Sequence, residues 1–163
     1  MSSQSASNVL TVLTNQAQPV RPNVRLSVAI RSEVNAISPL VDRVMALIRQ
    51  CQCVPRRRHE VELALREALA NAVLHGNRQD TGKKVYVCCC IQFSGELSII
   101  VKDEGTGFDH TQLPVPTDVE NIKFAHGRGM YLMKALMDDV RFEQGGTEVH
   151  MRIRLSRRDR YRR

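Results

Sequence analysis

The stretch "ALREALANAVLHGN", residues 64–77, carries two patterns at once. Val61, Leu65, Ala68 and Ala72 recur at helical spacing and make an apolar stripe. At about 100° per residue, Glu67, Asn71 and His75 fall on a second stripe beside it. A polar stripe at the edge of a core stripe predicts a helix whose border meets something polar. Gly76 and Asn77, small and tolerant of left-handed backbone, suit its C-terminus, and His75 either helps to cap that end or reaches the polar partner.

The segments around this helix alternate with period two. In residues 24–31 Val24, Leu26, Val28 and Ile30 point one way and Arg25, Ser27 and Arg31 the other. In "VYVCCCIQF" Val85, Val87, Cys89, Ile91 and Phe93 share a face opposite Tyr86, Cys88, Cys90 and Gln92. "LSIIVKDEG" puts Leu97, Ile99, Val101 and Asp103 together, and a "QGGT" hairpin joins "VRFE" to "TEVHMRIRL". Between them lie two more helical runs. One has Ser38 as N-cap and Pro39 as first helical residue, with Leu40, Val41, Val44, Met45 and Ile48 inward; the other is "GMYLMKALMDDV". Strands with one apolar face and amphipathic helices predict a two-layer α/β (α+β) sandwich, its mostly antiparallel, mixed sheet covered by helices on one face only.

Length and composition fit one such domain. The 163 residues are 42% hydrophobic and 25% charged, as in an ordinary globular protein. Residues 1–22, polar and with Pro19 and Pro22, read as a flexible arm; residues 23–155 form the domain, and residues 156–163 a basic tail. That tail, "SRRDRYRR", holds five arginines against one aspartate and so much of the formal charge of +7. With no aromatic platform beyond Tyr161, it reads as a solvated terminus rather than a nucleic-acid-binding element. No apolar run reaches the roughly 20 residues of a membrane helix, and the first residues lack the pattern of a signal peptide, so a cytoplasmic protein is expected. The five cysteines read as reduced and structural. "CQC" at Cys51–Cys53 lacks zinc spacing, and adjacent strand positions cannot converge on a metal.

Asp103 breaks the apolar rule of its strand face. An unpaired carboxylate turned toward a helical layer costs several kcal/mol, so it requires a donor there. Gly105 and Gly107 follow at once and allow the chain to turn tightly or to approach a ligand closely; taken alone, Asp-x-Gly-x-Gly reads first as a structural turn. A second pair, Gly127 and Gly129 around Arg128, opens the next helix, whose N-terminus favours an anion. Neither glycine pair completes a dinucleotide fingerprint, and "TGKKV" is not a Walker loop.

In this order, the helical Glu-x-x-x-Asn, the strand-end Asp-x-Gly-x-Gly, the glycine-opened helix and the "GGT" strand resemble the N box and glycine boxes of the GHKL ATPase superfamily. Within it, "LALREALANAVLHGN", "VKDEGTGFD" and "GRGMYLMKALMDDV" look most like the anti-sigma factor serine/threonine kinases of the RsbW and SpoIIAB type. The similarity spans residues 24–155.

The resemblance implies a Bergerat-type fold and a Mg-ATP site. Asn71 would hold Mg²⁺, with water in the remaining positions. Glu67, one turn earlier, would be the general base for an incoming Ser or Thr hydroxyl. Asp103 would accept the adenine amino group, with Gly105 and Gly107 as the adenine wall and Thr147 reaching inward beside them. Gly127, Arg128, Gly129 and Met130 would lie at the nucleotide, the glycines holding phosphate, and His75 is a further phosphate candidate. Residues 108–126, with Pro114 and Pro116, correspond to the ATP lid; Lys123, His126 or Arg128 would bring positive charge, because Ala125 stands where some relatives have Arg. The implied partners are a sigma factor and an antagonist protein that is phosphorylated, with a homodimer as the expected assembly of relatives. A non-catalytic ATP-binding interaction module is the alternative, and a free-standing histidine kinase catalytic domain a third, weaker one.

Overall fold

The computed structural model describes residues 9–13, 23–92, 94–107 and 125–154, with backbone alone for 9–13 and 125–128. Within these residues six strands, β1 (Val9–Leu13), β2 (Asn23–Arg31), β3 (Lys84–Ile91), β4 (Leu97–Asp103), β5 (Asp139–Glu143) and β6 (Glu148–Ile153), form one sheet in the order β1-β2-β3-β4-β6-β5. Every neighbouring pair is antiparallel, so the expectation of a mixed sheet is corrected to a wholly antiparallel one among the described residues. Among the described residues, three helices, α1 (Ile37–Gln50), α2 (Arg58–Ala70) and α3 (Ala125–Leu136), make the second layer, with α2 touching both of the others.

The alternation read from the sequence sets which face is covered. Leu26 and Val28 of β2, Val85, Val87, Cys89 and Ile91 of β3, and Leu97, Ile99 and Val101 of β4 are buried. They meet Val41, Val44 and Ile48 of α1, Leu65, Ala68 and Leu69 of α2, and Met133 of α3 in a single core. Burying such a side chain stabilises the fold by roughly 1.5–3 kcal/mol.

Arg57 ties the helices at their far end. Its Nε donates to Glu60 Oε2 at 2.6 Å, its Nη1 to Asp138 Oδ1 at 2.5 Å and its Nη2 to the Leu136 carbonyl at 2.7 Å. One guanidinium thus satisfies a helix-end carbonyl of α3 from the start of α2.

Three local expectations change. Residues 9–13 of the expected arm form β1, pairing Val9 to Ser27 and Leu13 to Asn23; "VLTVL" has the β-branched content of a strand. A short 3₁₀ turn, Val34–Ala36, leads into α1, so the helix starts before Ser38, whose Oγ accepts from Arg66 Nη1 at 3.2 Å instead of capping. α2 does not run as α-helix to its end: Asn71–Gly76 is a π-helical turn in which Asn77 N donates to the Ala72 carbonyl five residues back, at 2.8 Å.

Candidate functional site

The π turn brings the end of α2 over the end of β4. Asn77 is buried there with 1% of its surface exposed. Its Nδ2 donates to the Lys84 carbonyl at 2.9 Å and its Oδ1 accepts from Glu104 N at 2.8 Å. One amide therefore joins the turn to the first residue of β3 and the residue after β4. Asn77 is the C-cap residue of the turn, where the helix was expected to end, but with φ −85°; the left-handed residues are Arg78 and Gln79.

Asp103 ends β4 under this turn, 8% exposed. Its backbone N donates to the Thr147 carbonyl at 2.9 Å, and one carboxylate oxygen accepts from Gly105 N at 2.8 Å. Burial pushes its carboxyl above the usual range, opposed by the Gly105 hydrogen bond and the charge of Lys83. A Cβ on Gly76 would overlap that carboxylate, and one on Gly105 would overlap the Gly76 carbonyl. The close approach of the two loops requires both residues to be glycine.

Beside Asp103 lies a cavity of about 260 Å³. Ala72, Val101, Met130, Met133, Phe142 and Val149 make apolar walls; Asn71, His75, Asp103 and Thr147 supply polar atoms, and Gly107 and Gly146 lie at the lining. A mostly apolar slot with a few convergent polar groups is the common form of a small-molecule site. The Thr147 hydroxyl donates to the Gln144 carbonyl at 3.0 Å within the β5–β6 turn, leaving its oxygen able to accept.

Glu67 on α2 and Asn71, four residues on at the start of the π turn, face the start of α3. A Cβ at Gly129 would lie 2.7 Å from Glu67 Oε2 and 3.3 Å from Asn71 Nδ2. Gly129 therefore lets the first turns of α3 settle on those two side chains. That helix begins at Ala125, two residues before the glycine expected to open it.

Of the residues singled out in the sequence, Asn71, His75, Asp103, Gly107, Met130 and Thr147 line one cavity, Gly105 shapes its Asp103 edge, and Glu67 with Gly129 lies one helical turn away. Gly127 and Arg128 fall in the first turn of α3, their side-chain surroundings outside the described residues; of the lid expected over 108–126, residues 108–124 lie outside the described residues and Ala125 and His126 belong to α3. Sequence reasoning missed the Asn77 amide, which it saw only as a helix-ending residue; its distance in sequence from Lys84 and Glu104 hid the pairing.

The fold has relatives among known proteins. Residues 30–153 match the histidine kinase-like ATPase domain family. An anti-sigma F factor of Oceanobacillus iheyensis is 26% identical over 136 residues, 80% of this chain and 82% of that protein. The serine-protein kinase RsbW of Bacillus subtilis is 33% identical over 99 residues, 56% of this chain and 61% of that one. The crystal structure of the RsbU and RsbW domains of a Mycobacterium tuberculosis protein superposes with a TM-score of 0.60 over 82% of this chain and 33% of that one, at 18% identity. The matched span takes in the strands that frame the cavity, the helix that carries Glu67 and Asn71, and Asp103 with its glycines, and on it this chain belongs to the histidine kinase-like ATPase domain family.

Proposed function

We propose that the chain is an ATP-dependent serine/threonine protein kinase of the anti-sigma factor type, which binds a sigma factor and phosphorylates an antagonist protein. Its relatives named anti-sigma F factor and serine-protein kinase support the reading. The observation that carries it is the placement of Glu67 beside cavity-lining Asn71, where the start of α3 crosses α2. A site that only bound nucleotide would have no use for a carboxylate at that position.

Each residue has a chemical part. The apolar walls take the flat faces of adenine, and the Asp103 carboxylate, short of donors in its slot, accepts from the exocyclic amino group; guanine presents a carbonyl there and is rejected. Asn71 Oδ1 fits a hard cation that prefers oxygen, and would hold Mg²⁺, which would neutralise charge on the phosphates. The first N–H groups of α3, near Gly127–Gly129, point positive dipole at the same phosphates. Glu67 then accepts the proton of the partner's Ser or Thr hydroxyl as that oxygen attacks the terminal phosphorus, and ADP leaves. A chain without a membrane-crossing helix among its described residues is compatible with cytoplasmic partners, and we place it in the cytoplasm as a regulator of transcription.

The test is transfer of label from ATP to candidate antagonist proteins, with Glu67→Gln beside the wild type. The glutamine keeps size and hydrogen bonding but removes basicity. We expect unchanged ATP affinity and transfer reduced by roughly 10²-fold or more. Intact transfer in the variant removes Glu67 as base. No transfer by the wild type to any partner, with ATP still bound, favours the non-catalytic ATP-binding module.

A further inference from the structure

The face of the sheet away from the helices gathers three metal-ligating side chains at the β5–β6 hairpin. Glu143 closes β5 and Glu148 opens β6, and the two stand directly opposite in the strand register. His150, two residues further along β6, shares the outer face with Glu148, while Val149 and Met151 of the same strand are buried in the core. His150 Nε2 meets Glu148 Oε1 at 2.5 Å and Glu143 Oε2 at 3.5 Å. One ligand atom from each of the three residues lies within 4.8 Å of the other two. Like charges directly opposite on paired strands repel, and the arginines of these two strands are engaged with other carboxylates: Arg141 with Asp139 at 3.1 Å and Arg152 with Glu96 at 3.2 Å. Lys102, opposite Glu148 on β4, comes to 3.9 Å from Glu148 Oε2, the oxygen that His150 does not meet.

We propose that Glu143, Glu148 and His150 form a binding site for a zinc ion, separate from the nucleotide cavity. Zinc takes imidazole nitrogen and carboxylate oxygen at about 2.0–2.2 Å in a tetrahedron, so that neighbouring ligand atoms stand about 3.3–3.5 Å apart. His150 Nε2 and Glu143 Oε2 already have that separation. Glu148 Oε1 has to withdraw from the nitrogen by about 1 Å, which rotation of its carboxylate about the last, soft side-chain torsion provides. Water takes the fourth position from the side of Glu143, whose side chain is 49% exposed.

The donor set selects the ion. One imidazole nitrogen with two carboxylate oxygens suits a borderline cation such as zinc, whereas Mg²⁺ prefers oxygen throughout and holds on to its waters. The two carboxylates balance the double charge of the ion, and the cation between them turns a repulsive cross-strand pair into an attractive one. Bound there, zinc joins the last residue of β5 to the first and third residues of β6. Phe142 and Thr147, each adjacent in sequence to one of the carboxylates, line the nucleotide cavity, so the ion braces that wall of the cavity from the opposite face of the sheet.

The experiment titrates the full-length, reduced, metal-stripped chain with zinc chloride by calorimetry in excess Mg²⁺, beside His150→Gln and Glu143→Gln, with circular dichroism to check that each is folded. One ion per chain is expected, with a higher melting temperature when it is bound, and affinity at least about tenfold weaker in both variants. Glu143→Gln, at the most exposed of the three positions, serves should His150→Gln fold poorly. Cys88 and Cys90 on the same face are the competing ligands; their Sγ atoms lie 3.7 Å apart, and Arg25 Nε donates to Cys88 Sγ at 3.2 Å. Cobalt(II) in place of zinc tells the two sites apart, because thiolate ligands add an intense near-ultraviolet charge-transfer band that nitrogen and oxygen ligands lack. The expected spectrum has no such band. Absence of zinc binding in the presence of Mg²⁺, unchanged affinity in the folded variants, or a thiolate band with cobalt overturns the proposal.

Discussion

Replacing Asn77 removes two hydrogen bonds at once, so its effect can be sized from the structure. Asn77→Leu keeps the branched shape and the number of side-chain heavy atoms but leaves the Lys84 carbonyl and Glu104 N–H facing an apolar side chain at a site that is 1% exposed. Each unmet backbone group in such surroundings costs about 1–3 kcal/mol, which makes about 4 kcal/mol a central value for the pair. With a urea slope of about 2 kcal/mol per molar for a domain of this size, the unfolding midpoint should fall by about 2 M. Asn77→Ala should lose at least as much, since it adds a cavity to the same two losses. Asn77→Asp retains an acceptor for Glu104 N but sets a carboxylate against the Lys84 carbonyl, and should be the least stable of the three at neutral pH. Equilibrium urea unfolding by circular dichroism measures all of them. A midpoint shift below about 0.5 M in both the leucine and alanine variants would refute the idea that this amide holds the end of α2 to the sheet.

Asp103→Asn should separate stability from binding. Burial raises the Asp103 carboxyl, so ionising it destabilises the folded chain without nucleotide; the penalty is absent below the ordinary value of about 3.9 and sets in as pH rises through the raised folded value. The variant should therefore unfold at higher urea than wild type at pH 7, match it near pH 3, and bind ATP at least about tenfold more weakly by calorimetry; equal ATP affinity would remove Asp103 as the adenine acceptor. Gly129→Ala should fold as well as wild type, because alanine favours helix by about 1 kcal/mol, yet its Cβ would force Glu67 aside from a separation of 2.7 Å. Phosphate transfer should fall about tenfold or more while the melting temperature holds, and normal transfer would show that the position of Glu67 is not critical.

The parts of this molecule governed by period were readable from the chain. Val85, Val87 and Cys89 alternate with Tyr86, Cys88 and Cys90, and burial in the structure follows that alternation. Asp103 stood out because a carboxylate occupies an apolar register position, and the cavity beside it shows where that anomaly leads. What stayed hidden depends on contacts distant in sequence or on backbone choices that several sequences permit. Nothing in "NAVLHG" distinguishes an α turn from the π turn that forms, and nothing in it announces that Gly76 will meet Asp103 and Gly105. The link from Asn77 to Glu104 crosses 27 positions, and the approach of Arg25 to Cys88 crosses 63. The short apolar run of β1 was masked by polar and proline-containing neighbours, and its pairing to β2 is what makes it a strand.

That first strand has a practical bearing on how the chain can be shortened. A fragment starting at Asn23 would keep every residue of the periodic core, yet it would strip the partner from one side of the nine-residue β2. Its outer row of amide and carbonyl groups would then stand bare, a template onto which a second molecule can add its own strand. Such a fragment risks sticking to itself edge to edge, through a fault at its rim rather than in its interior. Five residues, Val9–Leu13, act as a selvedge on the woven sheet, and expression trials that trim them would lose solubility before they lose fold.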